Sequence, residues 1–247
     1  MKPLPTQLIF SLVVVSLFGA SCDRSPEAKK IRYLERGDQY FSQQQYKSAI
    51  LEYRNVLRLD KVNPHAIQKL GLAYYQTGEL GSSFPFLLKT KELVPEDVEN
   101  RVKLGTLYLG GQKTENARTE AEFVLTKDPK NFDALLLWAG SAMTQEEVRE
   151  AIERLEAARV EFGDRAKLHL AIGSLRLRRK DLAGAEREFQ EAIAKEPQAA
   201  EAHSLLAGFY LAKRENTLAE QEFKAAAAIS PVGSPARIAL VDFYLLL

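Results

Sequence analysis

Residues 168–197 read LHLAIGSLRLRRKDLAGAEREFQEAIAKEP, and this stretch decides the fold. Its first half sets Leu170, Ile172, Gly173, Leu175 and Leu177 where a helix carries an apolar face. Its second half repeats Leu182, Ala185, Phe189, Ala192 and Ile193 at three- and four-residue spacing, the mark of a second amphipathic helix. Arg178, Arg179 and Lys180 fall at the end of the first helix, where positive charge suits the macrodipole and the orphan carbonyls. Pro197 ends the second helix or opens the next one at its first position. Gly173 and Ala185 have almost no side chain, so the paired helices can approach closely there. Two helices this short are not stable alone, which makes the stretch one unit of a stack.

Counting 34 residues in either direction recovers the same residue types. The Gly173 column reads Gly37, Gly71, Gly105, Ala139, Gly173, Ala207, then Val241. The Ala185 column reads Ala49, Ser83, Ala117, Ala151, Ala185, Ala219, and the Pro197 column reads Lys61, Pro95, Pro129, Gly163, Pro197, Pro231. An aromatic column runs Tyr40, Tyr74, Tyr108, Ala142, Arg176, Tyr210, Tyr244. In spacing and residue type the chain resembles the tetratricopeptide repeat family from about Lys30 to its last residue. The resemblance implies an all-α fold, a right-handed superhelical solenoid of helix-turn-helix hairpins. Six complete repeats are expected at 30–63, 64–97, 98–131, 132–165, 166–199 and 200–233, with the first helix of a seventh at 234–247.

A chain of 247 residues with 46% hydrophobic and 27% charged residues is neither disordered nor embedded in a membrane as a whole. Its net charge of +1 gives no general attraction to nucleic acid. Cys22 is the sole cysteine, so stacking must stabilise the fold without an internal disulfide.

Residues 1–21 are expected to be a lipoprotein signal peptide: Lys2 supplies the charge, residues 8–18 are almost wholly apolar, and Gly19, Ala20 and Ser21 are small. That run is short of the roughly 20 residues that span a bilayer. Small residues before the cysteine resemble a bacterial lipobox, GASC, which implies cleavage before Cys22 and lipid on it. Gly19 departs from the Leu usual three residues before the cysteine. The alternative is an ordinary secretory signal cut near Ala20 or Ser21; a free thiol in an oxidising compartment disfavours it. Residues 22–29 then form the lipidated cysteine and a short tether, holding the first repeat beside the membrane. Which membrane, inner or outer, stays open.

Two places break the pattern. Pro85 falls inside the second helix of repeat two, where it removes a hydrogen bond and is expected to kink the helix. In repeat four the turn reads Met143-Thr144-Gln145-Glu146-Glu147, where Thr144, with Glu147 three residues later, forms a capping box that starts the next helix. The chain stops on an apolar run, residues 241–247, so further repeats, a partner or a second copy are expected to cover its last helix.

Chemistry is sparse. His169 and His203 share a repeat position, but two histidines without a third ligand make no zinc site, and half-buried packing is expected of them. His65 lies near a helix start. Gly110-Gly111-Gln112-Lys113-Thr114 looks like a phosphate loop but lacks the preceding strand and the glycine beside the lysine, so it reads as a turn. No catalytic constellation is legible, and no cofactor or metal is expected. The run from Arg176 to Lys180 reads as a solvated helix end, with contact to anionic lipid or polysaccharide as the alternative.

The resemblance implies that first helices line a concave groove. Their fifth and twelfth positions are Leu34, Phe41, Gln68, Tyr75, Val102, Leu109, Leu136, Met143, Leu170, Leu177, Ser204 and Leu211. Pairs seven apart share a helical face, and the stripe is mostly apolar. It suits an apolar or amphipathic segment of a protein partner, with packing between repeats as the competing role. The ninth positions, Asp38, Leu72, Thr106, Gly140, Ser174 and Gly208, lack the asparagines with which chaperone adaptors of the family grip a peptide carboxylate. Capture of an acidic C-terminal tail is therefore disfavoured.

The expectation is a non-enzymatic lipid-anchored scaffold of the bacterial cell envelope facing the periplasm. Phrases such as KLGTLYL and AEFVLTKDPKNFDALLL resemble repeat lipoproteins associated with exopolysaccharide export and exosortase-type sorting. A pilotin-like lipoprotein of type IV pili is the alternative, and an envelope hydrolase a remote one.

Overall fold

The computed structural model describes residues 25–247. All regular structure among them is helical, as expected from the 34-residue period. In the first two hairpins, α1 (Pro26–Ser42) pairs with α2 (Tyr46–Leu59), and α3 (Pro64–Gln76) with α4 (Leu80–Leu93). Then come α5 (Val98–Gly110) with α6 (Thr114–Lys127), and α7 (Phe132–Gly140) with α8 (Gln145–Phe162). The hairpins α9 (Ala166–Arg178) with α10 (Leu182–Lys195) and α11 (Ala200–Ala212) with α12 (Asn216–Ala228) precede a single last helix, α13 (Pro235–Leu246). These elements fall into two compact units, one ending at Val94 and one running Pro95–Leu247. The expected signal segment and Cys22 lie outside the described residues.

The small columns sit where two helices come closest. A Cβ added at Gly37 would lie 2.6 Å from the ring of Tyr53 on α2, and one at Gly173 would lie 2.7 Å from the ring of Phe189 on α10. Both rings are fully buried, as are Ala49 and Ala185 beside them. In the second hairpin, Ser83 stands in the alanine column and is buried. Its hydroxyl donates to the Gly71 carbonyl at 2.8 Å, so the polar atom is satisfied in place. Rings join the later elements, Phe189 of α10 with Phe209 of α11 at 6.2 Å and Phe223 of α12 with Phe243 of α13 at 5.3 Å between centroids.

The helix starts follow from local chemistry. Ser25, Asn63, Asp97 and Asn131 each cap a first helix by accepting from the amide three residues on. Because Ser25 caps and Pro26 occupies the first position, residues 26–29 form the opening turn of α1; the tether expected there stops before the helix.

Repeat four departs from the register. Its first helix has nine residues and its second eighteen, against thirteen and fourteen in repeats two, three and five. The cause is the capping box expected at Thr144. Thr144 Oγ1 accepts from the Glu147 amide at 3.1 Å, and the Glu147 carboxylate accepts from the amides of Met143 and Thr144 at 2.7 and 2.9 Å. The second helix thus starts early and takes its turn from the first.

α4 runs through Pro85 without interruption. The bond that proline forfeits would have reached Gly81; both residues are exposed, so water can satisfy the freed carbonyl.

Substitutions at glycine separate close packing from open surface. Gly37→Ala and Gly173→Ala should each lose about 1–3 kcal/mol through overpacking. Gly208→Ala, in mid-helix with nothing within 4 Å of an added Cβ, should gain about 0.5–1 kcal/mol. Urea unfolding of the three variants beside the parent measures both signs.

Candidate partner-binding face

First helices pack on one another: α1 on α3 in the first unit, and α5 on α7, α7 on α9, α9 on α11 and α11 on α13 in the second. Second helices touch only the helices next to them in the chain. Within each unit the first helices therefore form the tighter, inner layer, and their unshared faces line the inside of the curve.

The twelve inner-layer positions separate by burial. In the first unit Leu34, Phe41, Gln68 and Tyr75 are half-buried. In the second unit Leu109, Leu136, Leu177, Ser204 and Leu211 are half-buried, so each keeps surface that a partner can cover. Val102 and Leu170 are only 7% and 6% exposed and belong to core clusters, which leaves them to packing. Met143, 67% exposed, lies in the turn between α7 and α8 because the shortened α7 ends at Gly140.

Polar residues modify the apolar row of the first unit. Asp38 accepts from the Tyr53 hydroxyl at 2.7 Å and pairs with His65 Nε2 at 2.7 Å. The buried phenol is held protonated, its pKa raised first by burial and then by Asp38. Lys69 Nζ stands 4.7 Å from the centre of the Phe41 ring, whose edge contact with Tyr46 fixes it. The face offered here is an aromatic ring with a cation on it and a histidine–carboxylate pair beside it.

The histidines have a structural role that the sequence reading missed. His169 Nδ1 lies 2.7 Å from Glu188, and His203 Nδ1 lies 2.6 Å from Glu222. Arg101 makes the same link to Glu120 at 2.8 Å. In all three the acid follows the base by nineteen residues and ties second helix to first. The same column reaches back to the preceding repeat: Arg101 donates to the Pro95 carbonyl at 2.8 Å, His203 Nε2 lies 3.1 Å from that of Pro197, and Arg237 donates to that of Ser230. His169 Nε2 instead approaches Asp164 at 2.9 Å, without hydrogen-bond alignment. The recurrent base-then-acid spacing was the available signal.

The basic run is divided. Arg176 pairs with Glu156 at 2.9 Å and Asp181 at 3.0 Å. Arg178 donates to the carbonyls of Gly140 at 3.2 Å and Ala142 at 2.8 Å, satisfying the end that the early stop of α7 exposes. Arg179 and Lys180 form the turn, Lys180 with a φ of +61°. Residues 111–113 are likewise the turn from α5 to α6, with Gly110 ending one helix and Thr114 opening the next. Among the described residues no group of three or more metal-ligating side chains converges, and no helix is long and apolar enough to cross a membrane.

Models of the tetratricopeptide repeat match residues 102–167, 136–193 and 170–234, more than half of the chain, and a related repeat model matches 37–78. The chain belongs to the tetratricopeptide repeat family. No curated protein matches it. Among solved structures, a tetratricopeptide repeat protein from Parabacteroides merdae superposes with a TM-score of 0.73 at 18% identity, over 90% of this chain and 86% of that one. MamA from MSR-1 gives 0.57 at 20% identity over 69% and 98% of the two chains. Pseudomonas aeruginosa PilF gives 0.54 at 13% identity over 90% and 99%. These likenesses are of fold. Proteins of this family are generally scaffolds that bind other proteins.

Two tests probe these links. Arg178→Ala should cost about 1–2 kcal/mol by leaving the carbonyls of Gly140 and Ala142 to water, read by thermal unfolding. Acid should act separately. Asp164 is held below the ordinary carboxylate range first by Lys195, Asp181 by the Gly184 amide and then Arg176, and Glu147 by the amides of Thr144 and Met143. Their contribution is complete above the unfolded values near pH 4 and is lost as pH falls through the lower folded ones. Urea midpoints should be flat from about pH 7 to 5 and fall below about pH 4.

Proposed function

We propose that this chain is a lipid-anchored scaffold that holds a protein partner on the inner face of its first helices, within an extracytoplasmic secretion, exopolysaccharide or envelope-assembly machine. The observation that carries the reading is the row of half-buried apolar residues on that face, Leu34, Phe41 and Tyr75 in the first unit and Leu109, Leu136, Leu177 and Leu211 in the second. Half-burial fixes each side chain while leaving area to cover, which is what an apolar or amphipathic partner segment needs. Family membership supports protein binding in general; the narrower setting rests on the sequence phrases.

The anchor rests on GASC at positions 19–22. With α1 opening at Pro26, three residues lie between Cys22 and the helix, a reach of roughly 10 Å at full extension. The first repeat then works against the lipid surface. Likeness to PilF concerns the fold, and the pilus alternative gains nothing further from it.

Photocrosslinkers at Phe41 and Leu177 in membranes should capture one defined protein, and Phe41→Glu combined with Tyr75→Glu should abolish capture while the unfolding temperature shows the array intact. Capture that persists in the folded double variant would sink the inner-face assignment. A palmitate analogue should label the parent and not Cys22→Ser; equal labelling would remove the anchor.

A further inference from the structure

A cavity of about 490 Å³ lies away from the inner face, between α8 and the turn that joins α9 to α10. α8 lines it with Arg149, Ile152, Glu153 and Glu156; the end of α9 and the turn contribute Arg176, Arg179, Lys180 and Asp181. Charge here is not evenly compensated. Arg149 pairs with Glu146 and, at 3.0 Å, with Glu153, while Arg176 engages both Glu156 and Asp181. All three carboxylates on the wall thus have a basic partner. The side chains of Arg179 and Lys180 have none among the described residues, so the unanswered charge is positive and lies on the turn.

The turn itself does not call for cations. The corresponding residues are Gln43 and Gln44 in repeat one, Thr77 and Gly78 in repeat two, and Gly111 and Gln112 in repeat three. Repeat six has Lys213 and Arg214, but Lys213 is engaged by Glu186 and Glu215, and neither residue lines this cavity. The Lys180 amide donates to the Leu177 carbonyl at 2.9 Å, so the backbone, and not an ion pair, sets where this lysine stands.

The lining also indicates the ligand. Ile152 is its only apolar residue, unlike the mostly apolar pockets that take small molecules. A dense polyanion entering would meet Glu153, Glu156 and Asp181 at close range, where like charges repel. A peptide with isolated acidic side chains avoids that conflict: one carboxylate can accept from Arg179 and Lys180 while its neighbours lie outside.

We propose that this cleft is a second partner site, separate from the inner face, that takes a protein segment with spaced acidic residues, Arg179 and Lys180 being the groups that recognise the carboxylate. The probe is a fluorescein-labelled octapeptide of alternating alanine and glutamate, titrated against the full chain at low salt. It should bind saturably, and its alanine–glutamine counterpart about tenfold or more weakly. Arg179→Ala with Lys180→Ala should weaken the glutamate peptide about tenfold, and Arg214→Ala, which removes one positive charge from the next turn, less than about twofold. Phe41→Glu with Tyr75→Glu should leave this binding intact, so the two sites fail or stand separately. Equal binding of the glutamine peptide, an equal loss in Arg214→Ala, or no binding by about 1 mM would overturn the proposal. So would tighter binding of tripolyphosphate or phosphatidylglycerol vesicles through the same residues, which would assign the cleft to dense anions.

Discussion

The hairpins of repeats one, two and five depend on contact between an aromatic or aliphatic side chain of one helix and a glycine of the other. Tyr53 over Gly37 and Phe189 over Gly173 bring backbones close enough for short helices to bury their apolar stripes. No single hairpin has a core of its own in the ordinary sense. Phe209 packs on Phe189 and Phe243 on Phe223, so the layer is continued by the next repeat, and stability is shared between neighbours.

The glycine and alanine columns were readable because steric demand at a close approach admits few residue types, and a 34-residue count exposes them without any knowledge of partners. Polar links were harder to see. Arg101 looks unlike His169 and His203, yet each of the three meets a glutamate on the opposite helix. A position that accepts histidine, arginine, or in repeat four Leu135, presents no fixed residue type to count. The fourth repeat shows the opposite case. Its capping box was legible at Thr144 and Glu147, but a rigid count still placed Met143 on a helix that had ended three residues earlier.

The candidate face was legible in outline and not in detail. Sequence spacing selects the side of a helix; only packing tells which residues on that side retain surface, and Val102 and Leu170 do not. The basic run from Arg176 to Lys180 likewise holds four positive residues around Leu177, and the structure gives them different work. Arg176 and Arg178 are bound into the protein, whereas Arg179 and its neighbour Lys180 remain available.

The link from Arg178 to Gly140 and Ala142 bears on how such an array can change over generations. Where modules meet through rings, as at Phe209 with Phe189 and Phe243 with Phe223, losing or duplicating one restores equivalent contacts. Repeat five is an exception, because its arginine completes the truncated helix of repeat four. Deleting it strands two carbonyls unless the replacement brings its own donor, so these two modules should be inherited as a pair while others come and go.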